Sequence, residues 1–242
     1  MTAVPGPQGD AREHVVAVVA HPDDAELLCG GTLLRLRQAG ARVSILTATH
    51  GANGVSVADS EAGRRLRPED RAVESAAAWA GTGIELSGLG LEDGALTADR
   101  HMISLLEGEL VRSGCTTLIT HSPRVANDHQ DHLAVAVAAS NAATRVSTCR
   151  TVLYGEPHAP RSQFAPTVLV DITDVLDDKI KALQAHQSQA GRWYLGEEYT
   201  RHRAADAGWR LRPAAAAAGR SFEAFETPLL TLSHPALGLE LS

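Results

Sequence analysis

Residues His14–Ala20 (HVVAVVA) form a continuous, valine-rich apolar run, the pattern of a strand covered on both faces. A polar turn, His21-Pro22-Asp23-Asp24, follows it. A helical pattern carrying Leu27, Leu33, Leu34 and Leu36 then runs from Glu26 to Gln38, and Gly40 closes it. A second apolar run, Val43–Ala48, ends at Thr49-His50-Gly51. Strand, crossover helix and strand in about 35 residues make a βαβ unit, whose handedness implies a parallel sheet. The alternation predicts further helices over 69–80, 100–112, 133–143 and 173–186, the last with Thr173 as its cap. It predicts strands over 84–86, 116–120, 150–154 and 167–172. Residues 51–67 and 191–221 read as long loops, and the alanine run 214–218 as low complexity without chemistry. In such an open α/β sheet a ligand site belongs at the carboxyl ends of the strands.

Composition narrows the class. Of 242 residues, 44% are hydrophobic and 21% charged, which excludes a disordered, collagen-like or coiled-coil chain. The whole chain, 1–242, reads as one domain, with a core over about 14–189 and a C-terminal loop or lid over about 190–242. The net charge of -7 argues against nucleic acid or an anionic membrane as partner. No window approaches a membrane span of about 18 apolar residues. Met1–Asp10 has neither a basic start nor an apolar run, so it does not read as a signal peptide, and the expected location is cytoplasmic. Cys29, Cys115 and Cys149 are odd in number and far apart, so reduced thiols are expected. Lys179 and Lys181 are the only lysines among 22 basic residues, the bias of a high-GC bacterial coding sequence.

The strand ends hold the chemistry. His21 and Asp24 lie three apart in the first turn, and Asp128-His129-Gln130-Asp131-His132 offers four candidate ligands in five residues. Two histidines and a carboxylate with an open fourth position make a catalytic zinc site. Taken alone, His-Pro-Asp-Asp is equally a turn in which Asp24 caps a helix. Two such groups on one edge of one sheet favour a metal.

Ala20-His21-Pro22-Asp23-Asp24-Ala25-Glu26 followed by Gly30-Gly31-Thr32 resembles the signature of the PIG-L/LmbE-type zinc-dependent N-deacetylases. His129-Gln130-Asp131-His132 resembles the family's H-x-D-H motif. Asp93-Gly94, Val170-Asp171-Ile172 with Ser188-Gln189, and Glu223-Ala224-Phe225 resemble its later motifs, in order. The resemblance spans residues 14 to about 225. It implies an α/β, Rossmann-like three-layer fold with a mostly parallel sheet. It also implies metal ligands His21, Asp24 and His132, a general base Asp23, and a protonated His129 assisting the tetrahedral intermediate, oriented by Asp131. Zinc would acidify its water and polarise an amide carbonyl. Iron(II) or another divalent ion suits the same donors.

Other residues carry plainer readings. His50 stands where many relatives have Asp; it lines the pocket, transfers a proton or caps the strand, the last being simplest. His121 reads as a pocket wall or hydrogen-bonding residue. His14, His101, His158, His186, His202 and His234 read as solvated or core histidines, and Cys29 as a small buried residue. Arg71 and Glu74 read as a solvated ion pair. Five of nine aromatic residues (Trp193, Tyr194, Tyr199, Trp209, Phe222) fall between 193 and 222, a candidate lid over a glycosyl substrate, with ordinary packing as the alternative.

The sequence therefore predicts a zinc-dependent N-deacetylase acting on a small N-acetylglucosaminyl-type conjugate: a thiol precursor, glycolipid or natural-product intermediate. Rival readings are an amidase of the same fold acting on a larger amide such as a mycothiol S-conjugate, and a non-catalytic metal- or sugar-binding module. A nucleotide-dependent oxidoreductase is a poor fit, because two carboxylates stand where a pyrophosphate would lie and no G-x-G-x-x-G precedes the helix.

Overall fold

Seven strands form one sheet in the order β3-β2-β1-β4-β5-β7-β6. The computed structural model describes residues 13–55, 60–63, 65–159 and 163–231. The strands are β1 (His14–Val19), β2 (Arg42–Thr49), β3 (Glu85–Leu91), β4 (Thr117–Thr120), β5 (Thr151–Gly155), β6 (Val168–Asp171) and β7 (Phe222–Leu230). β1 to β5 are parallel, with Val15 opposite Val43 on one side and Thr117 on the other. β7 is antiparallel to both β5 and β6. The helices are α1 (Asp24–Gln38), α2 (Pro68–Ala78), α3 (Arg100–Ser113), α4 (Gln130–Ala143), α5 (Leu176–Gln184), α6 (Glu197–Leu211) and α7 (Pro213–Ala217).

The alternation of side chains along β1 divides the core into two layers. Val16 and Val18 pack with Leu46, Leu118 and the apolar faces of α3 and α4. Val15, Ala17 and Val19 pack with Leu28 and Leu33 of α1, Trp79 after α2, and Phe225 of β7. The expected α/β architecture, with helices on both faces of a mostly parallel sheet, is the one found. Among the described residues no helix is long and apolar enough to cross a membrane.

Four expectations need correction. The strand expected over 84–86 is a seven-residue edge strand, mostly exposed and therefore without a strong apolar pattern. Thr173 does not cap a helix: residues 173–175 form a 3₁₀ turn, and the Thr173 hydroxyl donates to Asp171 and accepts from the Ser221 N–H. Residues 191–221 are largely helical rather than loop, and their polar pattern misled because polar side chains of α6 are spent inside, as with Arg203 on Glu156. β7 escaped notice because its carboxylates are buried partners, not solvated ones. Glu226 accepts from the Ser122 hydroxyl at 3.1 Å and the Ala165 N–H at 2.9 Å. Residues 56–59 and 64 of the expected first loop, 232–242 of the expected lid, 160–162, and 1–12, on which the reading of Met1–Asp10 rests, lie outside the described residues.

The motifs far from the site converge on a kink in α1. Cys29 leaves helical geometry (φ -149°, ψ 16°), which frees backbone groups on either side. The Glu223 carboxylate accepts from the freed Gly31 and Thr32 N–H groups at 2.9 and 2.7 Å. Lys179 donates to the Leu27 carbonyl at 3.1 Å and to Glu223 at 2.6 Å. Gly31 passes Ile172 so closely that a Cβ would lie 2.7 Å from its Cγ2, which requires glycine. The Gly-Gly-Thr, Val-Asp-Ile and Glu-x-Phe segments thus brace the helix whose first turn carries Asp24.

Candidate active site

The chain runs outward from β1 to β2 and β3, then returns to lay β4 on the opposite side of β1. That reversal opens a crevice outside the carboxyl ends of β1 and β4, the usual ligand position in an open α/β sheet. The turn after β1 supplies His21, Asp23 and Asp24. The segment after β4 supplies His121 and Asp128 to His132.

Asp24 lies at the centre. Its Oδ2 is 3.3 Å from His21 Nδ1 and accepts from the His21 N–H at 2.7 Å. Its Oδ1 is 3.3 Å from His132 Nε2. Asp128 Oδ1 lies 2.9 Å from His132 Nδ1, which fixes that ring with Nε2 toward Asp24. The three residues expected to bind metal are therefore brought together pairwise through Asp24. Among the described residues, ligand atoms gather within 4.8 Å of one another in His21/His129/His132, Asp24/His121/His132 and His21/Asp93/Asp131; the expected trio shares members with each of these groups but is not itself one of them. Two imidazoles and a carboxylate, backed by further carboxylates, are the donor chemistry of a divalent-metal site, so the residues fit such an ion.

The electrostatics point the same way. Burial alone would lower the His21 pKa, but hydrogen bonds to Asp131, Asp24 and Asp93 push it up to about 12. His132 is pushed up to about 9 by Asp24 and Asp128 against the same burial cost. Asp24 is held well below the usual carboxylate range: burial opposes this, but His132 and His121 outweigh it. The pocket floor favours positive charge.

Asp23 stands apart from the donors. Among the described residues it is the only non-glycine with positive φ (112°), in a region that costs about 1–3 kcal/mol to occupy. Arg71, reaching in from α2, lies 3.1 Å from Asp23 Oδ2 and also donates to the Pro22 carbonyl. Burial raises the Asp23 carboxyl to about 6 even though Arg71 opposes it. Arg71 and Glu74 are not a solvated pair, as their spacing had implied. Arg71 is buried, and Glu74 accepts from the Ser188 N–H and hydroxyl at 2.6 and 2.7 Å, tying Asp23 to the Ser188-Gln189 motif.

The Asp131 carboxylate faces a different partner from the one expected. The Asp131 carboxylate contacts His21 Nε2 at 3.2 Å and accepts from the Gly94 and Leu96 N–H groups at 2.7 and 3.1 Å. It orients His21, not His129, because Asp131 opens α4 with its side chain turned toward the β1 turn. His129 is the N-cap of α4, and its Nδ1 accepts from the Asp131 N–H at 3.2 Å. That leaves Nε2 to carry a proton. Burial, His132 and His21 lower the His129 pKa, while Asp131 and Asp24 act in the opposite sense.

A cleft of about 590 Å³ opens over these groups. Asp93 and Gly94, the expected Asp-Gly motif, line it and link it to Asn53. His158, read as a solvated or core residue, instead forms its wall. Its ring stacks near Tyr194 at 4.2 Å and lies 6.4 Å from His132, and burial lowers its pKa to about 4. No sequence signal marked His158; only the turn after β5 places it there. Tyr194 lines this cleft and an adjoining cavity of about 780 Å³ bounded by Arg65, Arg192 and Trp193. Trp209 lines neither cavity and is exposed on α6, and Phe222 is core, so the aromatic cluster is only partly a wall. His121 hydrogen-bonds the Ala20 N–H through Nε2 and stacks on His132 at 4.1 Å. His50 is exposed outside the cleft, and Cys29 is buried in the core.

Residues 16–143 match the PIG-L family, described as GlcNAc-PI de-N-acetylase. A 1D-myo-inositol 2-acetamido-2-deoxy-alpha-D-glucopyranoside deacetylase of Segniliparus rotundus is 31% identical over 48% of this chain and 45% of its own length. A probable N-acetyl-alpha-D-glucosaminyl L-malate deacetylase of Bacillus cereus is 29% identical over 74% of this chain and 84% of its own. Two solved structures share the fold. The 4-carboxy-2-hydroxymuconate hydratase of Pseudomonas putida has a TM-score of 0.77 at 21% identity, covering 92% of this chain and 98% of its own. The N,N'-diacetylchitobiose deacetylase of Pyrococcus horikoshii has 0.72 at 20% identity, covering 90% and 84%. Since the family match covers more than half of the chain, from β1 through α4, and contains every candidate ligand, the protein belongs to the PIG-L family.

Proposed function

We propose that this chain is a metal-dependent N-deacetylase that hydrolyses the acetamide of an N-acetylglucosaminyl-type conjugate to a free amine and acetate. The observation that carries this reading is the placement of Asp23: outside the His21/Asp24/His132 donor set, yet held beside it by Arg71 in a strained backbone conformation. A module that merely bound metal would have no use for that carboxylate.

His21, Asp24 and His132 would hold the ion, which we take to be zinc, with iron(II) or another divalent ion as the alternative. When bound, it supplies Lewis acidity toward the amide carbonyl and makes water a stronger acid. Asp23 takes the proton of the attacking water and returns it to the departing amine nitrogen. The His129 Nε2–H donates to the carbonyl oxygen as charge develops there, a contribution of about 3 kcal/mol. Asp131 and Asp128 keep the two ligand imidazoles in fixed orientation. The Tyr194 and His158 rings offer a face to the sugar. The second cavity takes the rest of the conjugate, where Arg192 favours an acidic group; thiol precursors, glycolipids and natural-product intermediates all remain within this class.

The test pairs elemental metal content with acetate release from a panel of N-acetylglucosaminides, for wild type and Asp23→Ala. About one metal per chain in both, with acetate released by wild type alone and lost on chelation, supports the reading. Absence of stoichiometric metal after reconstitution overturns it. Faster release from larger acyl amides than from acetamides would move the assignment to an amidase.

A further inference from the structure

Cys115 and Cys149 take no part in that chemistry, and their separation in sequence gave no sign of pairing. The fold puts them side by side. The β4–β5 register sets Thr117 opposite Thr151, and carried back two residues it sets Cys115 opposite Cys149. Hydrogen bonds hold that register on both sides: Arg150 N–H to the Thr116 carbonyl at 2.8 Å, and the Thr148 hydroxyl to the Cys115 carbonyl at 2.8 Å. Both side chains enter the same core layer, with Val16 and Leu118. The thiols interact directly: hydrogen bonding to Cys115 draws the Cys149 thiol down to about 7, while that of Cys115 is pushed up. Adjacent strands run about 4.8 Å apart, within the roughly 4.4–6.8 Å between Cα atoms that a disulfide spans.

The pair lies just behind a surface cavity, which neither cysteine itself lines. A cavity of about 720 Å³ at the amino-terminal edge of the sheet is lined by Ser113, Gly114, Thr116, Ser147, Thr148 and Arg150, the residues flanking both cysteines. Cys149 keeps 8% of its surface exposed; Cys115 and Cys29 have none, and Cys29 has no thiol beside it.

We propose that Cys115 and Cys149 form an oxidisable pair that closes an intrachain disulfide when a small peroxide reaches this edge of the sheet. The Cys149 thiolate attacks one peroxide oxygen, giving a sulfenic acid and releasing water from hydrogen peroxide. The Cys115 sulfur then displaces the hydroxyl as a second water, so two thiols and one peroxide yield one disulfide and two waters. The bond joins the two ends of the segment that carries β4, His121 and His129 to His132. By constraining the unfolded chain it stabilises this segment's frame without touching the cleft.

The experiment treats the metal-loaded, full-length protein with hydrogen peroxide and counts thiols after denaturation. Accessible thiols should fall from three to one, with a mass loss of about 2 Da for the two hydrogens removed. Peptide mapping should show the Cys115–Cys149 bridge, and a phosphine reductant should restore all three thiols. The melting temperature should rise by about 5–10 °C. Cys29→Ala should keep the bridge and Cys149→Ala should lose it. Three thiols surviving in wild type, over-oxidation without a bridge, a bridge to Cys29, or a disulfide-linked dimer would each overturn the proposal.

Discussion

The Asp131 carboxylate meets His21 Nε2 at 3.2 Å, joining two strand ends that are 110 residues apart in the chain. The same carboxylate is anchored by the Gly94 and Leu96 N–H groups, so it cannot swing toward His129 without stranding two backbone donors. Its place is behind His21, an imidazole of the proposed metal site. Asp131→Asn should therefore weaken metal binding by about 10–100-fold, measured by chelator competition. Unchanged metal affinity with an altered pH–rate profile would return Asp131 to His129.

Arg71 is the buried group that points Asp23 into the cleft. Lysine keeps the charge but not the forked contact with Pro22, Asp23 and Glu74. Arg71→Lys should lower kcat by about 100-fold through misplacement of Asp23, with metal content unchanged. Arg71→Ala should in addition cost about 3 kcal/mol of stability, since it leaves partly buried carboxylates unpaired. Denaturant titration of both variants separates the two effects.

His186 Nε2 lies 2.9 Å from Glu26 Oε1 in the interior, with Asp23 and Arg71 the other charges facing it. Burial lowers its pKa, but the bond to Glu26 raises it on balance. A folded-state pKa above the unfolded value gives stability that is complete below about pH 6.5 and fades as pH climbs through the folded value. The melting-temperature gap between wild type and His186→Gln should accordingly be widest near pH 6 and narrow above it. A gap that widens with pH would mean that His186 is held neutral.

Tyr194 lines both cavities, whereas Trp209 lines neither. Tyr194→Leu should raise KM by about threefold to tenfold, the worth of one aromatic contact. Trp209→Ala should leave the kinetics unchanged. The reverse outcome would place the sugar over α6.

Arg192 donates to the Gly54 carbonyl at 2.9 Å and faces the outer cavity, as does Arg65, against a floor of carboxylates in the inner cleft. Arg192→Ala should raise KM by about tenfold or more for N-acetylglucosaminides whose second group bears a carboxylate or phosphate, and leave a neutral methyl glycoside unaffected. Equal losses on both would make Arg192 a structural clamp on Gly54.

The sequence by itself determined the parallel core of the sheet, the two strand-end clusters and the family. Continuous apolar runs at β1, β2 and β4 report strands buried on both faces, and His21, Asp23, Asp24, His129 and His132 sit in short motifs whose spacing is local. Candidate metal ligands are legible because such chemistry places donors near one another along a turn or the first turn of a helix. What only the tertiary structure decided is who faces whom across elements. Asp131 turned to His21, Arg71 reached from α2 to Asp23, His158 entered the cleft from β5, and Cys115 met Cys149 across β4 and β5. β7 and α6 were hidden for the same reason, since Glu223, Glu226 and Arg203 find their partners inside the protein and so resemble solvent-facing residues in the sequence. Periodicity records whether a side chain meets water or hydrocarbon; it carries no mark for a buried charge whose compensation comes from a hundred residues away.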